Sequence, residues 1–340
     1  MNKQTIINVM QGICRGDAFG FGLEFSDRNK IIQEITYDQF HNWRTGKHGL
    51  NVELGFYSDD AEQSFGITEA LLATEMKMSS GQRFTTDLLI RKFKDEYDRD
   101  KQKKGFGRQG HGSIKDWYEG QKTIQEVRTS QRTRLDPGNA PVMRCVPIIF
   151  APQERHYEYA VINAISTHEN IRGIESAVLV VATGDYLLRR EGTREGLIPY
   201  LKEYGTWIDT KALEMIDALP HPLQMSEKDY VTLLGPQPTL NKPVMNGLPC
   251  ASLRTAYAVI YVLKHAKSAF EALKFSIELG GDIDSLAAVT VGIASGLYGP
   301  ESLPGFLRTQ SEGLERAKLL GERLYEKFFE TQKTQTFELH

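Results

Sequence analysis

The chain has 340 residues, 25% of them charged and 40% hydrophobic, with a formal net charge of -3. Near-balanced charge excludes a general electrostatic grip on nucleic acid, which needs a basic surface to displace counterions. No stretch approaches the ~20 apolar residues of a membrane helix, and three scattered cysteines, Cys14, Cys145 and Cys250, show no redox or zinc spacing.

The opening segment, MNKQTIINVMQGICRGDAFG, lacks the apolar run of a signal peptide, so a soluble, cytoplasmic monomer is the expectation. Within RGDAFGFGLEF (15–25), Gly16, Gly20 and Gly22 suggest close packing or a tight loop leading to Glu24. Without a strand-then-helix frame these glycines are no dinucleotide or phosphate fingerprint, and Glu24 by itself reads as a surface acid. YSDDAEQ (57–63) then turns a loop into a helix over 61–77, with Ile67, Ala70, Leu71 and Thr74 on one face. Ser58 or Asp59 suits a plain N-cap, and Asp59 to Glu62 resembles a capping box. Two adjacent carboxylates exceed what one cap requires, however. Beside a hydroxyl they are the hard oxygen donors that Mg²⁺ prefers.

Further along, Lys92, Lys94, Lys101, Lys103 and Lys104 alternate with acids, as on a solvated helix face. Residues 99–112 and the polar stretch 130–141 read as loops, and Trp43, Trp117 and Trp207 as core or pocket-wall residues. VMRCVPIIF (142–150) and SAVLVVATGDYLL (176–188) contain β-branched residues, yet both read as helical because no set of alternating strands accompanies them. A Pro/Gly cluster covers 234–249. Helices are expected over 250–266 and over 268–279, where Phe270, Leu273 and Ile277 align before the stop at Gly280-Gly281. GGDIDS (280–285) places Asp282, Asp284 and Ser285 at another helix start, either as caps or as ligands. The helix that follows, 286–298, is apolar nearly all round and rich in small residues, which allows close neighbours. A last helix, 309–329, has a charged outer face.

Two helix starts in opposite halves of the chain thus carry the same kit of two carboxylates and a hydroxyl. If folding joins them, four carboxylates converge and repel unless cations intervene. Two divalent ions roughly 3.5–4 Å apart would resolve that repulsion.

GDAFGFGLEF is similar to the glycine-and-glutamate opening of the ADP-ribosylglycohydrolase family, which includes the glycohydrolase that reactivates dinitrogenase reductase. YSDDAEQ resembles the family's Thr-Asp-Asp-Thr-Gln segment, and GGDIDSLAAVTVGIASGLYG its Gly-Gly-Asp-Thr-Asp-Thr motif with the small-residue helix after it. Weaker matches at 108–117, 138–148 and 166–168 keep the family's order over about residues 9 to 299.

The resemblance implies an all-α fold, a compact single-domain orthogonal helical bundle covering 1–340. It also implies two Mg²⁺ ions, with Mn²⁺ as a substitute, held by Ser58, Asp59 and Asp60 on one side and Asp282, Asp284 and Ser285 on the other, one aspartate bridging. Glu24 matches a family acid beside the metals and, with Asp59 and Asp60, is a catalytic candidate. Asp136, Gly138 and Asn139 match a loop cradling ADP-ribose, and His168 matches a pocket histidine. The implied reaction removes ADP-ribose from a modified protein or other ADP-ribosylated substrate by cutting the glycosidic bond at the distal ribose. Serines stand at 58 and 285 where the family has threonines, which keeps the hydroxyls. Pro141 replaces a usual glycine, and Glu169-Asn170 follow His168; these changes bear on target preference. The residues leave open a two-metal phosphohydrolase acting on a nucleotide, and a non-catalytic ADP-ribose-binding relative.

Overall fold

A computed structural model describes residues 1–43, 53–75, 83–104, 112–204, 209–237 and 245–330. Every regular element among them is helical; the extended contacts are isolated bridges of Gly281 with Ser26 and with Leu248. The all-α expectation holds. The first third contains α1 (Lys3–Phe21), α2 (Arg28–Glu34), α3 (Asp59–Ala73), α4 (Thr86–Lys104), α5 (Gly112–Tyr118) and α6 (Ile124–Thr129). The middle contains α7 (Ala140–Met143), α8 (His156–Thr167), α9 (Ile171–Gly184), α10 (Leu197–Tyr204), α11 (Thr210–Asp217) and α12 (Glu227–Leu234). The chain finishes with α13 (Ser252–His265), α14 (Ala269–Ile277), α15 (Ile283–Tyr298), α16 (Gly305–Gln310) and α17 (Leu314–Tyr325).

The tightest pairing joins the two ends of the sequence, α1 against α15. A Cβ on Gly16 would lie 2.1 Å from the Ala287 carbonyl oxygen, and one on Gly20 would lie 2.5 Å from the Asp284 Cα. Only glycine permits backbones this close. The close packing read from the glycines is therefore real, and it presses α1 onto the start of α15. Leu286, Ala287, Val289, Val291 and Ile293 are all buried, as an all-round apolar helix requires.

Several boundaries differ from the periodicity reading. The 61–77 helix begins at Asp59 and stops at Ala73, with Ser58 as its N-cap. Residues 309–329 divide into α16, α17 and a final π turn (Glu326–Glu330), because Gly313 adopts a left-handed φ of 80° between the two helices. The 142–150 stretch is no continuous α-helix: α7 gives way to a 3-10 segment (Val146–Phe150), since Pro147 lacks the N–H a longer helix needs. Residues 99–104 of the expected loop belong to α4. Trp207, 105–111 and 238–244 lie outside the described residues.

Candidate active site

The site begins with α1. Asp17 is the sole acid of that helix and is fully buried. Its carboxylate accepts from the backbone N–H of Ser58 at 2.8 Å and of Ala61 at 2.9 Å. It satisfies two of the donors that every helix start leaves open, and so pins the start of α3 against α1. Ser58 completes that start: its hydroxyl accepts from the Asp60 N–H at 3.2 Å and donates to Asp60 Oδ2 at 2.6 Å. Capping and site-building are one device here.

The second acidic start is built differently. Gly280 and Gly281 take φ of 65° and 81°, the left-handed region that side chains resist. Asp282 occupies the N-cap of α15 without a side-chain cap hydrogen bond. Its carboxylate is instead held by a residue remote in sequence: Asn139 Nδ2 donates to Asp282 Oδ2 at 2.9 Å and to Thr255 Oγ1 at 3.2 Å. The cap reading fails for Asp282. Glu24 arrives on the turn after α1, which is stapled to this loop: the Phe25 N–H donates to the Gly281 carbonyl at 2.7 Å, and the Gly281 N–H to the Ser26 carbonyl at 2.9 Å. Phe25 holds a φ of 59°, a conformation costing about 1–3 kcal/mol that packing around Glu24 sustains.

These elements meet. Carboxylate oxygens of Asp17, Asp60 and Asp284 lie within 4.8 Å of one another, as do those of Glu24, Asp282 and Asp284. Asp284 belongs to both groups. Burial raises the pKa of Asp60 and Asp284 well above the usual carboxylate range. The charges of Asp17 and Asp59 push Asp60 further, and those of Glu24, Asp60 and Asp282 push Asp284. Burial also raises Asp282, against hydrogen bonds from Asp284, Cys250, Ser285 and Asn139. Asp60 Oδ1 and Asp284 Oδ1 are buried without a hydrogen-bond partner. Buried unpaired acceptors are costly. A hard divalent cation answers both the repulsion and the empty lone pairs, so the residues fit a metal ion.

Glu24, Asp60, Asp282 and Asp284, though not Asp17, line a cavity of about 330 Å³. Asp59 lines it but stands outside both three-carboxylate groups, its Oδ2 accepting from Gln63 Nε2 at 3.0 Å. Ser285, Gly138, Asn139 and His168 also line it. The Gly138 N–H donates to Gln131 Oε1 at 3.3 Å. Asp136 does not reach the lining; it is exposed, 3.6 Å from Arg172. Burial, then the charges of Arg144 and Arg134, depress His168 to about 3, so its imidazole is neutral at physiological pH. Asn170 ties down the loop below, donating to the carbonyls of Gln131 at 2.8 Å and Arg134 at 2.9 Å.

The motif reading missed Asp17, Gln63, Arg144, Thr167 and Cys250. For two of them a sequence signal existed: Asp17 is a lone acid in an otherwise buried glycine-striped helix, and Arg144 is a lone cation in the apolar run 142–150. Gln63, Thr167 and Cys250 carry none.

Fold and cavity together define an all-α protein with a buried, carboxylate-walled pocket able to hold a metal ion. The ADP-ribosylglycohydrolase family model matches residues 2–334, and the chain belongs to that family; it is a hydrolase of that kind. It is 25% identical over 352 residues to ADP-ribosylhydrolase ARH3 of Xenopus tropicalis, covering 95% of this chain and 94% of the relative. ARH3 of Homo sapiens is 23% identical over 344 residues, with 94% and 92% covered. An ADP-ribosylglycohydrolase-related protein complex shares the fold at a TM-score of 0.68 and 17% identity, covering 95% of this chain and 98% of the other. No helix among the described residues is long and apolar enough to cross a membrane.

Proposed function

We propose that this chain works as one domain that releases ADP-ribose from a modified target, cutting the glycosidic bond at the distal ribose with two Mg²⁺ ions. The observation that carries the reading is Asp284, one buried carboxylate shared by two acidic groups, with an oxygen left unpaired. Asp17, Asp60 and Asp284 would hold one ion and Glu24, Asp282 and Asp284 the other, with Ser58, Asp59 and Ser285 at their edge. Bound there, Mg²⁺ supplies a Lewis acid and a template for the ribose hydroxyls.

The chain's own residues do the rest. Asp59 or Asp60, both on the cavity lining, would take the proton of the attacking water, and Glu24 on the turn after α1 would assist. Charge developing on the ribose in an oxocarbenium-like transition state faces this acidic wall, which stabilises it. Gly138, Asn139 and the neutral His168, also on the lining, would grip the nucleotide end.

The test is release of free ADP-ribose from a panel of ADP-ribosylated proteins and small molecules, before and after exhaustive EDTA treatment. Loss of activity on chelation and recovery with Mg²⁺ or Mn²⁺ is expected. Full activity without metal would remove the ions from the scheme, AMP as product would indicate a phosphohydrolase, and binding without turnover a non-catalytic relative.

A further inference from the structure

Arg144 is fully buried in the cavity wall, and no carboxylate among the described residues lies within ion-pair distance of it. A buried guanidinium with only neutral partners is unusual and calls for a reason. All three of its nitrogens nevertheless donate. Nε donates to Asn163 Oδ1 at 2.8 Å, Nη1 donates to Gln63 Oε1, and Nη2 reaches the Asn163 carbonyl at 3.1 Å, Ser166 Oγ at 3.2 Å and Thr167 Oγ1 at 2.7 Å. The Phe93 ring closes one face, 4.4 Å from the guanidinium carbon.

Two branches leave this hub and both end at the cavity. In the first, Gln63 accepts from Arg144 through its oxygen, so its Nε2 is turned to donate to Asp59 Oδ2 at 3.0 Å. The amide cannot flip without losing both contacts. In the second, Thr167 Oγ1 accepts from Arg144 and lies 2.8 Å from His168 Nδ1. With Arg144 donating to its oxygen, the Thr167 hydroxyl proton finds no acceptor among the described residues other than that ring nitrogen, which favours a bare Nδ1 and a ring proton on Nε2. His168 Nε2 lies on the Gly138 side, where a Cβ would stand only 3.1 Å away; glycine leaves the N–H open to a ligand atom.

We propose that Arg144 is a positioning residue that sets both sides of the reaction chamber, aiming Asp59 through Gln63 and fixing His168 as an Nε2–H donor through Thr167. A phosphate or ribose oxygen of the ligand then meets a fixed donor at His168, and a ribose hydroxyl or water meets a fixed acceptor at Asp59. The kinetic consequence rests on the ADP-ribose reading; the tautomer does not.

The experiment is ring-¹⁵N NMR of the full chain labelled at histidine, without substrate or added metal, with His168 assigned by its loss in His168→Gln. A protonated Nε2 and a bare, hydrogen-bonded Nδ1 are expected. Thr167→Val should convert His168 to a tautomer mixture, and Gln63→Met should leave that spectrum unchanged while kcat falls about tenfold at constant KM. Arg144→Lys, which keeps the charge but not the fork, should do both; should it fail to fold, the other two variants decide. A protonated Nδ1 in the wild type, or a Thr167→Val spectrum like the wild type, would overturn the His168 branch. Wild-type kcat in Gln63→Met would overturn the Asp59 branch. If no ADP-ribosylated substrate is turned over at all, the spectra still decide the His168 branch.

Discussion

Asp185 and Asp284 are both buried aspartates at helix ends, and their surroundings have opposite sign. Asp185, where α9 passes into a π turn, accepts from Arg190 Nε at 2.7 Å and Gln153 Nε2 at 3.0 Å, with His156 Nδ1 at 3.5 Å and Arg189 Nε at 3.9 Å. Asp284 faces the charges of Glu24, Asp60, Asp282 and Asp17, and one of its oxygens has no partner. A carboxylate buried for the sake of the fold is surrounded by donors, because desolvation is tolerable only when charge and lone pairs are answered. Acids buried against acids oppose folding, and such a cluster persists for what it binds. The contrast separates scaffold from site without reference to any motif.

The sharpest way to break that contrast is substitution at its two poles. Asp284→Asn should lower ADP-ribose release by at least about 1,000-fold in kcat/KM, since a shared ligand of a site worth several kcal/mol is lost. The same variant should raise the melting temperature of the metal-free protein by about 1–2 °C, following relief of about 1 kcal/mol of repulsion. A destabilised Asp284→Asn would mean that the cluster is structural after all. Asp185→Asn should do the reverse. It should cost about 2 kcal/mol in chemical denaturation, moderated because the half-exposed Arg190 regains water, and leave kcat per folded molecule near the wild type.

A smaller effect sharpens the comparison through pH. Asp60 and Asp284 have folded-state pKa values raised above the unfolded value of about 3.9. The folded chain therefore binds protons that the unfolded chain has already released. That stability is fully present below about pH 4 and is lost as pH rises through the raised folded values. The metal-free wild type should accordingly lose melting temperature relative to Asp60→Asn as pH increases, by a few degrees across the neutral range. Saturating Mg²⁺ should abolish this trend in the wild type. A difference between the two proteins that stays flat with pH would show the acids to be already compensated.

Much of the site was legible because its chemistry is local in sequence. Ser58, Asp59 and Asp60 are adjacent, Asp282, Asp284 and Ser285 lie within one turn, and each set sits before a recognisable helix, one with an apolar face and one apolar nearly all round. Glu24 read by itself as a surface acid and became a candidate only through the family resemblance of the segment around it. Helix ends were less so, since Pro147 and the left-handed Gly313 interrupt stretches whose hydrophobic pattern runs on unbroken. Asp136 shows the limit of a loop-level match: the loop reaches the cavity through Gly138 and Asn139, while Asp136 turns outward to Arg172.

By itself the amino-acid sequence determined the helical class and the two acidic starts, because periodicity, caps and turn glycines act over a few residues at a time. The meeting of those starts was decided only in the folded chain. It depends on the glycine-lined approach of α1 to α15, on Asp17 pinning α3, and on Asn139 reaching Asp282. The Arg144 hub likewise exists only in three dimensions, since a guanidinium's five donors collect acceptors from whatever segments packing brings within about 3 Å. Hydrogen bonds and charge repulsion are short-ranged in space and indifferent to distance along the chain.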